Sequence, residues 1–122
     1  MALTDKDLKY IKQIISDRQK AHSYYSDHSK VYNAFVSLEK VTYTDGALKR
    51  KNKEMIAIGI SITTNCESCM EWHIREALRA GASEEEILDA IGVGIEMGGG
   101  PATVAARFAL KVLEYHKGDV GK

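Results

Sequence analysis

Apolar positions along the chain repeat at helical rather than alternating spacing, which points to helices and not to strands. Leu8, Ile11 and Ile15 fall on one face of a first helix, capped by Thr4 with Asp5 and Asp7 in its opening turn. A second helix is predicted from about Ser26 to Lys40, with Val31, Phe35 and Leu38 turned inward. The turn Thr44–Asp45–Gly46 precedes a third, which lasts to about Thr63; Asn65 caps a fourth, which Gly81 stops. Ser83 and Glu86 have capping-box spacing for a fifth, and Pro101 stands at the first position of a sixth, closed by His116 and Lys117 at its negative end. The expectation is an all-α fold of about six helices, with helices three and four paired as an antiparallel hairpin.

The pattern changes character twice. The run "KRKNKE", Lys49 to Glu54, reads as the solvated opening turns of helix three, but "MIAIGISIT" follows it, apolar or small on nearly every side. Glu54 at the head of such a helix would stack above Ala57, Ile58 and Ser61 and be partly desolvated, the setting in which a carboxylate becomes a proton acceptor; the plainer reading is that it ends the charged run and points to water. The small-residue stretch from Ala90 to Ala106 is more apolar than one small domain hides, and self-association would bury it; Glu96 is its candidate interface or site-rim residue.

Chemistry concentrates in "NCESCMEWH", Asn65 to His73, which holds both cysteines of the chain. Steps of three and four residues place Cys66, Cys69 and His73 on one helix face. Cys66 lies in the first turn, where unpaired amides and the helix dipole favour a thiolate. His73, one turn beyond Cys69, can take that cysteine's proton. In a hairpin turning at "TTN", Glu54 and His73 both lie roughly 12–14 Å from the turn, level with each other. A dithiol with a base in reach is the constellation of a redox centre. Two blander arrangements use the same residues. One is a buried face with two small apolar cysteines. The other is a zinc site of Glu54, Cys66, Cys69 and His73, although structural zinc usually joins two separated ligand pairs. Attachment of c-type haem needs histidine directly after the second cysteine, where Met70 stands.

Composition narrows the classes. A chain of 122 residues, 44% hydrophobic and 28% charged, fits one globular domain over residues 1–122. The 17 basic and 17 acidic residues cancel, leaving no electrostatic footprint for nucleic acid or an anionic membrane. "MALTDKDLKY" has no signal-peptide core and no apolar run reaches membrane-spanning length, so the expected location is cytoplasmic. In a reducing compartment a Cys-x-x-Cys pair is metal-binding or redox-active before it is a staple. Trp72 and Ile74 flank His73 as candidate walls of an apolar entrance or as core. His22, His28, Tyr24 and Tyr25, placed around the first interhelical turn, read as surface or interface, and Arg107 carries no assigned chemistry.

The segment "KEMIAIGISITTNCESCMEWHIREALRAGASEEEILDAIGVGIEMGGGPATVAA" resembles the carboxymuconolactone decarboxylase superfamily, specifically its alkylhydroperoxidase D-like branch. That branch carries the signature Glu-x11-Cys-x2-Cys-x3-His, matched by Glu54, Cys66, Cys69 and His73 without insertion, and the likeness covers at least Asp45 to Ala106. The resemblance implies an all-helical fold around a helical hairpin, assembled as a homotrimer or hexamer. It implies a thiol peroxidase or dithiol–disulfide oxidoreductase centre acting on a hydroperoxide, with no bound cofactor or metal. In such enzymes the glutamate and histidine relay protons to the cysteine pair. One cysteine is oxidised to a sulfenic acid and condenses with the other, and an external dithiol such as dihydrolipoamide or a thioredoxin-like protein resets them. The histidine favours Cys69 as the attacking sulfur with Cys66 resolving; the helix N-terminus favours the reverse. Better-studied members are longer and carry another histidine where this chain has Ser68. The superfamily's other named activity, decarboxylation of a lactone in aromatic catabolism, does not need a cysteine pair. A non-enzymatic redox-sensing or zinc-holding protein is the third class.

Overall fold

Side-chain caps and left-handed residues divide the chain into six helices in a computed structural model that describes residues 1–119. These are α1 (Asp5–His28), α2 (Lys30–Thr42), α3 (Arg50–Thr63), α4 (Glu67–Arg79), α5 (Glu84–Gly98) and α6 (Gly100–His116), followed by a 3₁₀ turn at Lys117–Asp119. Thr4 with Asp7 and Ser83 with Glu86 both form reciprocal capping boxes. Gly81 and Gly99 take φ of 98° and 72°, which a side chain would resist, and end α4 and α5.

Two boundaries differ from expectation. α1 continues through the histidine and tyrosine segment to His28, and the break falls at Ser29, whose hydroxyl caps α2 by accepting the Tyr32 N–H. Asn65 does not cap α4. It sits at φ 52° in the turn, a conformation asparagine tolerates, and the cap is Cys66, whose Sγ accepts the Cys69 N–H at 3.2 Å.

α3 packs against both α4 and α5, α6 lies across α4 and α5, and α1 leans on α4 and α6. Ile58, Ile62, Met70, Ile74, Ile87 and Val112 are completely or almost completely buried at the centre, each contributing about 1.5–3 kcal/mol of apolar burial. Gly94 lets α5 approach α3 closely: a Cβ there would stand 2.7 Å from the Gly59 carbonyl oxygen and 2.8 Å from the Ile62 Cβ. Part of the small-residue stretch thus serves internal packing, while Val93, Met97 and Val104 remain exposed.

Helix α2 overturns one expectation. Val31, Phe35 and Leu38 are not inward but 82%, 59% and 61% exposed, and the helix has no buried residue. The stripe is apolar as the periodicity indicates, but α2 packs mainly on α1 and leaves its apolar face exposed. The charged run is not simply solvated either. Lys51 pairs with Glu86, Arg50 reaches Glu54 and Glu76, and Lys53 is bound to backbone at the end of α2.

Candidate active site

The hairpin of α3 and α4 brings the four signature residues to one place. Asp45 accepts the Arg50 N–H at 2.8 Å and so fixes where α3 starts, which sets the depth of Glu54 one turn later. Glu54 is 1% exposed. Its Oε1 lies 2.7 Å from Nδ1 of His73 on the facing helix, the level pairing expected from equal distances to the turn. With Nδ1 engaged by a carboxylate, the imidazole presents Nε2 as its free proton-accepting atom. The other carboxylate oxygen accepts from Arg50 Nε at 3.4 Å, and Arg50 also reaches Glu76 at 3.4 Å.

Cys66 and Cys69 are joined as a disulfide with Cα atoms 5.2 Å apart. Both are half-buried, but only Cys69 lines the openings beside it. A large cleft of about 1020 Å³ runs between α1, α2 and α4, walled by Phe35, Tyr43 and Trp72 with Arg18 and Lys40 among its charged groups. A smaller one of about 490 Å³ reaches Cys69 past Ile56, Ala57 and Ile60. Cys69 is the approachable sulfur and Cys66 the one held at the helix cap. Among the described residues no three His, Cys, Asp or Glu side chains converge as a metal site would require, and in this oxidised state the two sulfurs bind each other.

Two contributors come from outside the hairpin, and a third, Lys53, comes from the first turn of α3. Tyr43, the residue after α2, lays its ring 5.2 Å from that of His73; burial, then the charges of Glu54 and Glu39, push its hydroxyl pKa above the ordinary value. Arg18 of α1 donates to the Ser68 carbonyl at 2.9 Å and hydroxyl at 3.1 Å, and its guanidinium lies 5.3 Å from the Trp72 ring centre. Ser68, at the position where better-studied relatives carry histidine, therefore anchors an arginine. Lys53, in the charged run, holds the chain around Tyr43. No sequence signal marks these three, because their arrival depends on how α1 and α2 dock. Of the residues flanking His73, Trp72 does wall the cleft, whereas Ile74 is fully buried core. His22, Tyr24, Tyr25 and His28 are surface residues, with His22 bonded to the Tyr32 hydroxyl at 2.7 Å. Arg107 and Glu96 are exposed, and neither lines the openings at Cys69.

A second buried cluster lies on the opposite side of α4. Glu71 is fully buried between His116 Nε2 and Arg18 Nη1, each at 2.5 Å. Burial raises its pKa, and the hydrogen bonds from His116 and Arg18 outweigh that, leaving it below the ordinary value.

No helix of the described residues is long and apolar enough to cross a membrane. Residues 29–112 match the model of the carboxymuconolactone decarboxylase family. An uncharacterised protein of the cox locus in Paracoccus denitrificans is 41% identical over 86 residues, covering 70% of this chain and 78% of that protein. A crystal structure of a carboxymuconolactone decarboxylase family protein from Legionella pneumophila superposes with a TM-score of 0.78 at 29% identity, covering 93% of this chain and 98% of that one. One from Thermotoga maritima, described with a suggested part in an antioxidative response, gives 0.80 at 25% identity over 87% and 91% of the two chains. Sequence match over the hairpin and shared backbone over most of the chain lead to one assignment: this chain belongs to the carboxymuconolactone decarboxylase family.

Proposed function

We propose that the chain is a thiol peroxidase of the alkylhydroperoxidase D-like kind, a dithiol–disulfide oxidoreductase that reduces hydroperoxides with Cys66 and Cys69. The observation that carries this is the joined cysteine pair, open to a cleft at Cys69, on the same helix face as a histidine bonded directly to a buried glutamate. A decarboxylase has no use for that pair. The antioxidative role suggested for the Thermotoga maritima relative points the same way.

In the reduced protein, His73, oriented by Glu54, takes the Cys69 proton, and the thiolate attacks one oxygen of the hydroperoxide. The O–O bond breaks, the alkoxide leaves with the proton from His73 as an alcohol, and Cys69 becomes a sulfenic acid. Cys66 then attacks that sulfur; the S–O bond breaks, hydroxide leaves as water with the Cys66 proton, and the disulfide forms. An external dithiol, dihydrolipoamide or a thioredoxin-like protein, attacks Cys69 from the cleft that it lines. Cys66 departs as a thiolate stabilised at the N-terminus of α4, where its Sγ already accepts an amide hydrogen. The second thiol of the reductant displaces Cys69, leaving the reductant oxidised. The opposing signals of helix end and histidine thus serve different steps, Cys69 attacking and Cys66 leaving.

The working form is a homo-oligomer, a trimer or hexamer. Val93 and Met97 leave an exposed apolar face on α5, and Val31, Leu38 and Val41 another on α2, both clear of the openings at Cys69. Sedimentation equilibrium tests this, and a monomer at micromolar concentration removes it.

The activity is tested by counting thiols on reduced protein before and after one equivalent of an organic hydroperoxide, with dihydrolipoamide added last. Wild type is expected to lose two thiols and regain them, Cys66→Ser to stop at a sulfenic acid on Cys69, and Cys69→Ser to stay unreactive. Two thiols that persist in the presence of hydroperoxide would rule the peroxidase out.

A further inference from the structure

Tyr43 belongs neither to the cysteine helix nor to the hairpin, yet Tyr43 and Cys69 are the two residues shared by both openings onto the site. On one side of it lies the larger cleft with Trp72 and Phe35; on the other, the smaller one with Ile56, Ala57 and Ile60. Its ring lies beside that of His73, centroids 5.2 Å apart and planes tilted by 35°.

Helix α2 has no buried residue to fix its end. Lys53 of α3 supplies the fixing. Its Nζ donates to the Thr42 carbonyl at 3.0 Å and to the Thr44 carbonyl at 2.7 Å, the two carbonyls that bracket Tyr43. A cation bound on both sides of one residue sets the adjoining peptide planes, and with them the direction of that residue's side chain. The Tyr43 N–H, donating to the Glu39 carbonyl at 3.2 Å, completes the hold.

We propose that Tyr43 is a specificity-determining residue of this site: a wall, aimed by Lys53, that divides the approach to Cys69 into a smaller apolar opening and a larger one. A small reagent reaches the sulfur from either side. A bulky one, such as an aryl hydroperoxide or the dithiol reductant, enters only by the larger cleft. The consequence for substrates rests on the peroxidase proposal, whereas the wall itself is a matter of access and is measurable without turnover.

The test uses the full chain carrying Cys66→Ser, so that Cys69 is the single thiol, and measures its alkylation by iodoacetamide and by fluorescein maleimide. Tyr43→Ala should raise the bulky-to-small rate ratio on the order of tenfold by merging the openings. Tyr43→Phe should keep the starting ratio, because the ring is the wall. Lys53→Met keeps the ring but frees it to swing from its position, so it should raise the ratio part of the way and move the His73 ring-proton resonances as the tyrosine ring shifts. An unchanged ratio in Tyr43→Ala overturns the proposal, and so does a Tyr43→Phe variant that behaves like alanine. Should Tyr43→Ala fail to fold by circular dichroism, Lys53→Met decides, and a ratio and His73 resonances both at starting values overturn it. Hydroperoxide turnover by otherwise unaltered protein is scored separately: its absence removes the peroxidase and leaves the alkylation ratios to judge the wall.

Discussion

Two glutamate–histidine pairs stand on either side of helix α4, alike in parts and different in setting. Glu54 bonds His73 at 2.7 Å and Glu71 bonds His116 at 2.5 Å; both glutamates are buried, and each turns its second oxygen to an arginine. His73 follows Cys69 by four residues and shares its face, while Glu71 follows by two and points to the other side of the helix. His116 is buried at the end of α6 with its ring edge-on to Tyr115, 4.8 Å away. Glu54 holds Nδ1 of His73 and Glu71 holds Nε2 of His116, and only the first pair shares a helix face with the cysteines; under the proposed function the first is a relay and the second a brace.

The sharpest way to break that distinction is to exchange the damage. Glu54→Gln or His73→Ala should slow oxidation of the reduced thiols by hydroperoxide about 10²–10⁴-fold, the usual range for losing a positioned acid–base group, with a much smaller change in the urea midpoint. His116→Ala should leave the oxidation rate of folded protein near that of wild type. Stopped-flow thiol oxidation beside equilibrium unfolding reads both effects. Comparable slowing in the two histidine variants would make both pairs part of one relay.

Glu71→Ala inverts the pattern. Removing the carboxylate leaves Arg18 and His116 facing each other inside the protein, so a loss of about 3–5 kcal/mol is expected, at the lower end because Arg18 is 23% exposed. The urea midpoint should fall accordingly while thiols in the folded fraction still oxidise at the normal rate. A variant that keeps its midpoint but loses its chemistry would reverse the assignment of relay and brace.

Acid sharpens the same contrast more gently. The Glu71 pKa lies below its ordinary value of 4.5 in the folded chain, because its hydrogen bonds outweigh the effect of burial. A depressed folded value means the unfolded chain binds more protons, so the stabilisation is complete above about pH 4.5 and is lost as pH falls through the folded pKa. Urea midpoints taken from about pH 5 to about pH 3 should therefore decline more steeply for wild type than for Glu71→Gln. Parallel curves would mean that Glu71 does not carry this part of the acid sensitivity.

The relay was legible in the sequence and the brace was not, and the reason is locality. Glu54, Cys66, Cys69 and His73 all lie on one helical hairpin, where a fixed rise per residue sets which positions are level and which share a face. Glu71 lies between them, but its partners come from α1 and α6, and no spacing rule connects those positions. The misplacement of Val31, Phe35 and Leu38 has a related origin: periodicity identifies an apolar face of α2 without saying what lies against it. At Asn65 two local preferences of one residue type competed, capping and the left-handed turn, and the turn prevailed with Cys66 taking the cap. Lys53 and Tyr43 escaped notice because a charged run gives no sign of which member will find backbone carbonyls.

The smallest expected difference lies between the arginines attached to the two pairs. Arg18 donates to Glu71 and to the Ser68 carbonyl and hydroxyl, and it stacks on Trp72, so Arg18→Met removes a multiply bonded cation beside a buried carboxylate. Arg50 is 45% exposed and reaches Glu54 and Glu76 only at 3.4 Å, a geometry worth roughly 0.2–1 kcal/mol at a solvated site. Arg50→Met should therefore shift the urea midpoint less than Arg18→Met does, and it should leave thiol oxidation close to wild type because Glu54 still holds His73. If instead Arg50→Met slowed oxidation as far as Glu54→Gln, the guanidinium would be setting the charge of the relay itself. The two pairs would then differ by their arginines and not by the helix faces they occupy.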